Sequence, residues 1–170
     1  VRADTRIVSI RYLEDIYLGG AHPATYTDAY NLDARTGERL ELYDIVEDSE
    51  AYSELYDILI EELGQYSDDF YSDYDYEETV NSLFFGDGSG PVWFYREDSI
   101  EFVFDQYLLA PYASGKFTAE IPLERIRLAE ADTDDGADEE PTEVHVSTAD
   151  ELMKAIRSNA KIYLAPASTT

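Results

Sequence analysis

The sequence predicts an α+β domain: an antiparallel sheet, built from a meander and a hairpin, with one or two helices on one face, followed by a small β-α-β stub. Three observations predict it: apolar residues alternate near the N-terminus, two central segments show helical spacing, and short alternating segments return after them. An acidic segment then follows, with eight acids and no base in residues 129–143. We therefore expect a domain over 1–128, a linker over 129–142 and the stub over 143–170.

The first predicted elements are two strands. Apolar side chains recur at every second position over residues 7–18, which is the period of a half-buried strand. Residues 19–23 end this strand, because glycine tolerates positive φ and proline has no amide hydrogen to donate. A second alternating run with Tyr26, Tyr30 and Leu32 follows. The short connection predicts that the two strands pair antiparallel.

A tight turn leads from the second strand to a third. Asp33 opens this turn and can accept hydrogen bonds from its own backbone, while Gly37 suits the left-handed corner. Leu40 and Leu42 then resume the alternation of apolar and polar residues. These features predict the third strand of a meander.

Two helices are predicted in the centre of the chain. Asp48 or Ser49 caps the first, and Gly64 suits its C-terminal end. Its apolar positions step by three and four residues: Tyr52, Leu55, Tyr56, Leu59 and Leu63. A second, shorter helix is predicted over residues 75–85, and the glycine-rich segment 86–91 ends it.

A hairpin and one more strand complete the predicted domain. Residues 92–95 and 100–105 read as two strands that Glu97 and Asp98 join. The segment 107–115 is too apolar for a plain linker, and a last strand follows over residues 117–121. Its end is marked by a proline.

The C-terminal stub has its own pattern. Residues 144–146 and 162–164 read as strands, and a capping box at Thr148–Glu151 opens a helix between them. A β-α-β piece of roughly 25 residues cannot bury both faces of its sheet. Because the sequence also starts at Val1 without a methionine or an apolar signal segment, we expect a piece of a longer protein, with any export signal or membrane anchor left off.

The charge of the chain limits its partners. Asp and Glu number 38 against 12 Lys and Arg, giving a net charge of -26. Such a surface repels phosphate backbones and anionic headgroups, so nucleic acid and lipid surfaces are excluded and a membrane is expected only through a missing anchor. Basic proteins, cations and neutral sugars remain as partners, and salt adaptation is a second interpretation of the acidity.

Few residues are available for catalysis or metal binding. The chain has no cysteine, which excludes disulfides, thiolate zinc sites and a thiol nucleophile. Its two histidines, His22 and His145, lie in different predicted units, so we interpret His22 as a turn residue whose ring bonds the backbone. Asp73, Asp75 and Glu77 alternate as calcium ligands do, but without the glycine that an EF-hand loop requires. We expect no enzyme activity, no cofactor and no dedicated metal site.

Three motifs carry a resemblance to a known family. They are residues 19–23 with sequence GGAHP, the turn 31–38 with Leu40 and Leu42, and residues 110–115 before the strand that ends at Pro122. Together, over residues 5–128, they resemble an exported bacterial domain of unknown function that occurs in the extracytoplasmic half of a lysozyme-sensing anti-sigma factor and in the non-catalytic region of a membrane-anchored peptidoglycan deacetylase. The motif residues are Gly19, Gly20, His22, Pro23, Gly37 and Gly115. The tail, residues 144–166, resembles the N-terminal cap of a right-handed parallel β-helix.

The resemblance implies non-catalytic recognition outside a bacterial cell, with a basic protein such as lysozyme or a cell-wall glycan as partner. An accessory module of a secreted polysaccharide- or peptidoglycan-acting enzyme is the alternative. Tyrosine is the residue type that suits a recognition surface, because its ring is apolar and its tip is polar. The candidate binding residues are Tyr71 and Tyr74, which acids flank, and Tyr107, Pro111 and Tyr112, which lie in or beside the third motif.

Overall fold

The computed structural model describes residues 2–3, 6–17, 19, 22–72, 75–88, 90–129, 142–146 and 160–164. The strands are β1 Arg2–Ala3, β2 Ile7–Ile16, β3 Ala24–Asp33, β4 Val92–Tyr95, β5 Ser99–Phe104, β6 Phe117–Pro122, β7 Thr142–Val146 and β8 Ala160–Leu164. The helices are α1 Ser49–Gly64 and α2 Tyr76–Phe85, with 3-10 turns at Leu42–Ile45, Ser67–Asp69, Tyr112–Ser114 and Leu123–Arg125. Two antiparallel sheets with two helices confirm the predicted α+β class.

The first sheet has the strand order β1-β2-β3. β2 and β3 pair antiparallel over ten residues each, as predicted, from Ile7 opposite Asp33 to Ile16 opposite Ala24. Asp33 accepts hydrogen bonds from two turn amides, and Gly37 has a φ of 74°, which confirms the predicted turn.

The predicted third strand at Leu40 and Leu42 is wrong. Pairing beyond the turn is reduced to an isolated bridge between Leu32 and Arg39, and Leu42–Ile45 forms a 3-10 turn. The physical reason is the spacing of the buried residues: Leu42 and Ile45 both enter the core and lie three positions apart, as a 3-10 turn requires and a strand does not. The sheet obtains its third strand from β1 instead.

The second sheet, with the order β4-β5-β6, carries the apolar core. All six residues of β5 are buried, and Phe102 and Phe104 pack with the buried face of α1, which includes Leu55 and Leu59. The α2 residue Phe84 contacts Phe102 in a tilted arrangement, with ring centroids 5.9 Å apart. The hairpin, the last strand and both helices thus form where the sequence predicts them.

Side-chain capping fixes both helix starts. Asp48 accepts a hydrogen bond from the amide of Ala51 at 2.8 Å, and Asp75 accepts from the amides of Glu77 and Glu78. Asp75 therefore caps α2 within the set of residues that alternates like calcium ligands. Asp73, from the same set, lies outside the described residues.

Polar side chains join the two sheets. Ser9 Oγ donates to Asn31 Oδ1 and accepts from the amide of Tyr95 at 3.0 Å, while Asn31 Nδ2 donates to the carbonyl of Trp93 at 3.0 Å. A second joint lies at Glu101, whose carboxylate accepts from arginines of β2 and of the β4–β5 turn. Ser9, Asn31 and Glu101 are buried, so their hydrogen bonds replace those that water would make, while the two arginines stay partly exposed.

The C-terminal strands β7 and β8 pair in parallel. They include the predicted strands at 144–146 and 162–164, whereas the predicted helix between them and residues 130–141 of the predicted linker lie outside the described residues. Among the described residues, no helix is long and apolar enough to cross a membrane.

Candidate functional site

The structure brings together two of the motifs on which the resemblance rests. His22 from the first motif stacks on Tyr112 from the third, with ring centroids 3.6 Å apart and an angle of 16° between the ring planes. Tyr107 completes the group, with its ring centroid 5.6 Å from that of Tyr112 and 6.2 Å from that of His22. We call these three residues the ring cluster.

Hydrogen bonds fix the orientation of the rings. The Nδ1 atom of His22 lies 3.1 Å from the carbonyl oxygen of Pro23, which can only accept, so Nδ1 carries the hydrogen. Nε2 then accepts from the hydroxyl of Tyr107 at 3.1 Å. The hydroxyl of Tyr112 donates to the same Pro23 carbonyl at 3.4 Å. His22 is therefore a turn residue whose ring bonds the backbone, as predicted.

The backbone of the Tyr107 segment has an unusual conformation. Tyr107 has a φ of 72° and is the one non-glycine residue with positive φ in the described part of the chain. Its amide donates to the carbonyl of Ala110 at 3.2 Å, and Leu109 and Ala110 are buried in the core. Gly115, with a φ of 80°, ends the 3-10 turn that carries Tyr112. Burial of the middle of the segment thus holds both tyrosines at the surface.

A polar contact ties this segment to β3. The carboxylate of Asp105 accepts from the amide and from the hydroxyl of Thr27, both at 2.8 Å, and Lys116 Nζ lies 2.9 Å from its Oδ1 atom. Lys116 also donates to the Thr27 hydroxyl at 2.6 Å. Because β3 starts one residue after Pro23, this contact fixes both halves of the ring cluster relative to each other.

The ring cluster lies at the surface. The side chain of Tyr107 is 57% exposed, His22 and Pro111 are exposed, and Tyr112 is half-buried. A partner molecule can therefore contact the rings without any rearrangement of the backbone. Exposed rings held by hydrogen bonds lose little side-chain entropy on binding.

Four further predicted site residues, Tyr71, Gly19, Tyr74 and Gly20, lie apart from these contacts or outside the described residues. Tyr71 is half-buried, and its amide donates to the carbonyl of Leu109 at 3.1 Å, which sets its segment beside the Tyr107 segment. Gly19 is exposed with a φ of 90°. Tyr74 and Gly20 lie outside the described residues.

The two tyrosines among the apolar positions of the first predicted helix, Tyr52 and Tyr56, lie half-buried on α1. The hydroxyl of Tyr52 donates to the carbonyl of Phe84 at 3.1 Å, and burial raises the pKa of Tyr52. Tyr56 contacts Phe84 and Phe85 edge to face. These rings pack α1 on α2.

Sequence reasoning missed a cleft of about 380 Å³ that β3 and β4 border. Tyr12 and Tyr26 lie on its wall, and the hydrogen bond from Tyr12 to Asp28, 2.8 Å long, raises the pKa of Tyr12 to about 12. A buried tryptophan, Trp93, also lines it. The available signal was the alternation of tyrosines and acids in residues 12–14 and 26–28, but the pairing of distant strands that forms the cleft cannot be read from it.

Ion pairs occupy seven of the basic side chains that the structure describes. Carboxylates pair with Arg11, Arg35, Arg39, Arg96, Lys116, Arg125 and Arg127. Arg125 and Arg127 bind the acidic face of α1 near both of its ends. Since Asp and Glu outnumber Lys and Arg about threefold, most carboxylates are left to give the surface its negative potential. Within the described residues, no three His, Asp or Glu side chains lie close enough to hold a metal ion.

Comparison with known proteins gives a family match. Residues 43–124 match the model of a family described as protein of unknown function (DUF3298). A solved structure of a DUF3298 family member from Bacteroides fragilis NCTC 9343 is similar at 24% identity and a TM-score of 0.53, covering 74% of this chain and 49% of that chain. A DUF3298 family protein from Pseudomonas aeruginosa PAO1 matches at 24% identity and a TM-score of 0.49, covering 72% of this chain and 54% of that chain. The search of curated proteins found no match.

The matches confirm the resemblance at the level of a domain of unknown function. The chain spans about half the length of the solved structures it matches. At 24% identity, the similarity to the Bacteroides fragilis structure shows the fold alone. The matched residues include Tyr107 and Tyr112 and begin after the β2–β3 hairpin, so His22 lies outside them. The finer resemblance, to the lysozyme-sensing anti-sigma factor, the deacetylase and a β-helix cap, stays a prediction.

Proposed function

We propose that this chain is a non-catalytic recognition domain on the outside of a bacterial cell, and that it binds a basic protein such as a lysozyme through tyrosines and acids. The observation that carries the proposal is the ring cluster: residues from two distant motifs that meet at the surface. The motifs that carry the sequence resemblance contain His22 and Tyr112, and they are identified from the sequence alone, without the contact between the two rings.

The chemistry of the ring cluster supports recognition. Tyrosine and histidine rings offer flat apolar faces with polar tips, and aromatic residues are enriched among the few that dominate binding energies. Here two rings stack and the third, Tyr107, donates a hydrogen bond to His22. The rings are therefore oriented before a partner arrives, which reduces the entropy lost on binding.

The same hydrogen bonds support a non-catalytic role. Both nitrogens of His22 take part in contacts within the domain, Nδ1 with Pro23 and Nε2 with Tyr107. A general base needs a free ring nitrogen within reach of the proton that it abstracts. In this arrangement His22 would have to give up a structural hydrogen bond before it could move a proton.

The charge distribution supports a basic partner. A negative potential attracts a basic protein over a distance of about 8–10 Å at ordinary salt and speeds their encounter. In the described part of the chain, seven basic side chains pair with carboxylates, which weakens the attraction of those side chains for an acidic partner. Charge thus favours a class of partners, while the ring cluster provides the specific contact.

The alternative is an accessory module that presents a wall-acting or polysaccharide-acting enzyme to its glycan. The exposed ring of Tyr107 favours it, because an apolar aromatic face can also pack on a sugar ring. In that case neutral cell-wall fragments would bind and the salt concentration would matter little.

The test is a comparison of two basic proteins. Affinity for a lysozyme and for an equally basic unrelated protein is measured at about 0.15 M and about 0.5 M salt, since screening is much stronger at the higher concentration. We expect a preference for lysozyme that persists at high salt and that Tyr112→Ala weakens by about 1–3 kcal/mol. Tyr43→Ala, which removes an exposed tyrosine ring packed on Tyr52, is the matched control. Equal binding of both proteins, lost at high salt and indifferent to Tyr112, would contradict the proposal.

A further inference from the structure

We propose that the cleft bordered by β3 and β4 is a pocket for one arginine side chain of the basic partner. This inference rests on the proposed function and adds to it a second contact site with its own chemistry. Its volume of about 380 Å³ lies at the lower end of the range of roughly 300–1,000 Å³ for ligand pockets. The cleft therefore suits a single long side chain better than an extended ligand.

Part of the cleft wall is apolar. Leu40, Val92 and Trp93 line it, and Trp93 is only 4% exposed. Tyr26, also in the wall, is 53% exposed and thus belongs to the rim. An apolar stretch of wall beside polar side chains suits the aliphatic stem of an arginine, which packs on apolar surface while the charged head stays near water.

The rim contains two tyrosines and two carboxylates that face each other across β2 and β3. Tyr12 lies opposite Asp28 and Glu14 lies opposite Tyr26 in the register of β2 and β3, so the two tyrosines occupy one diagonal and the two carboxylates the other. All four side chains point to the same face of the hairpin and line the cleft. A planar guanidinium can stack on a ring and pair with a neighbouring carboxylate at once, which an ammonium group cannot do as well.

The charge of the rim is not neutralised. Asp28 accepts the Tyr12 hydroxyl, which leaves its negative charge in place. The carboxylate of Glu14 makes no hydrogen bond or ion pair with the residues that the structure describes. The cleft is thus lined by carboxylates that outnumber its arginine, Arg39, which already pairs with Glu41 at 3.2 Å.

The domain itself uses the proposed mode of binding twice. The guanidinium of Arg39 lies 5.6 Å from the ring centroid of Tyr30 while pairing with Glu41. Arg11 lies 5.5 Å from the ring centroid of Phe94 while pairing with Glu101. A guanidinium held between an aromatic ring and a carboxylate is therefore stable on this sheet.

The cleft and the ring cluster are adjacent. Asp105 and Thr27, whose contact fixes the ring cluster, also line the cleft. Tyr107 follows Asp105 by two residues, so one partner surface can cover the ring cluster and place an arginine in the cleft.

The experiment uses small probes on the whole chain. Amide NMR spectra of the labelled protein are recorded during titration with Nα-acetyl-arginine amide and, separately, with the citrulline analogue, which has nearly the same shape and no charge. We expect saturable shift changes at Tyr26, Thr27 and Trp93 with the arginine probe alone. The double variant Glu14→Gln/Asp28→Asn should weaken the arginine probe by about fivefold, from the loss of two exposed charge pairings.

A variant with the same change of charge serves as control. Asp57→Asn/Asp68→Asn removes two exposed carboxylates away from the cleft and should leave the probe affinity unchanged. Equal shifts with both probes, or equal weakening by both double variants, would overturn the proposed pocket. If only the pocket is wrong, Tyr112→Ala still weakens the binding of lysozyme. If the proposed function is wrong, Tyr112→Ala has no effect on that binding.

Discussion

The two large sheets of this domain are held by different forces. Every residue of β5, in the second sheet, is buried, and its phenylalanines pack beneath α1 and α2. In β2, of the first sheet, only the first three residues are buried, and the strand reaches the second sheet through Ser9 and Arg11. Apolar burial stabilises without fixing orientation, whereas a buried hydrogen bond permits few arrangements.

In the proposed function, this difference assigns stability to the second sheet and recognition to the first. The second sheet provides a rigid apolar body, and the first sheet projects from it with tyrosines and carboxylates that the core does not need. The ring cluster lies where the first sheet meets a loop of the second, and the cleft lies beside it, bordered by β3 and β4. We therefore expect substitutions in the two sheets to differ in the size of their effect and in the property that they change.

The largest effect is expected in the second sheet. Phe102→Ala removes a fully buried ring and should lower the free energy of unfolding by about 3–5 kcal/mol, because a cavity remains beside α2. Leu13→Ala, in the exposed half of β2, should change it by no more than about 0.5 kcal/mol. Urea denaturation of both variants measures this. Similar losses of unfolding free energy in the two variants would show that the β2–β3 hairpin is part of the same core as β5.

A smaller effect is expected at the polar joint. Asn31→Ala leaves the Trp93 carbonyl and the Ser9 hydroxyl without their buried partner and should cost about 1–3 kcal/mol. Ser9→Ala should then cost less in the double variant than alone, because its hydrogen bond to Asn31 is already lost and only the one from the Tyr95 amide remains. Thr25→Ala, which removes an exposed hydrogen bond to Asp15, is the control. Additive losses at Ser9 and Asn31 would contradict the account of a single joint.

The backbone of Tyr107 gives a prediction in which stability and binding diverge. A left-handed conformation costs a residue with a side chain about 1–2 kcal/mol, and glycine avoids that cost. Tyr107→Gly should therefore be about 1 kcal/mol more stable than Tyr107→Ala, although both lose the ring and should bind the partner equally weakly. Thermal denaturation and affinity measurements on the two variants test this. A glycine variant less stable than the alanine variant would exclude strain at this position.

The smallest effect concerns Tyr12 at high pH. Its hydrogen bond to Asp28 raises the pKa of Tyr12 to about 12, above the value near 10 of a free tyrosine. The contact therefore stabilises the fold fully below about pH 10, and this contribution is lost as the pH rises through about 12. Ring NMR signals should show Tyr12 ionising near pH 12, and Asp28→Asn should lower that pKa. An unchanged pKa in Asp28→Asn would show that another group sets it.

The sequence predicts the elements of this fold better than their contacts. The starts of α1 and α2 follow from Asp48 and Asp75, which are local caps, and the hairpin of β4 and β5 follows from local alternation. The third strand fails at Leu42, because burial of that residue in the common core, and not the period of the sheet, decides its conformation.

The burial of β2 also departs from its pattern. The alternating apolar residues include Tyr12, which is 39% exposed, while Ser9 on the opposite face is fully buried. Alternation identifies the two faces of a strand, but it cannot show that the buried face meets another sheet through polar groups.

The candidate site could be predicted only in part. The motifs that contain His22 and Tyr112 are visible in the sequence, whereas their stacking depends on a contact between Thr27 and Asp105, 78 residues apart. The cleft was not predicted because it needs β3 beside β4, two edge strands of different sheets. Long-range contacts of this kind leave no local trace in a single sequence.

In the proposed function, recognition belongs to the junction of the first sheet with the Tyr107 segment and not to the acidic helix α1. Amide NMR of the labelled domain, titrated with lysozyme at about 0.15 M salt, tests it most directly, because general attraction is partly screened at that salt. We expect the shift changes to concentrate at residues 24–28 and 107–115, with α1 unaffected. Changes that spread over the carboxylates of α1, such as Glu54, Asp57 and Glu61, and spare Tyr107 and Tyr112 would contradict the claim.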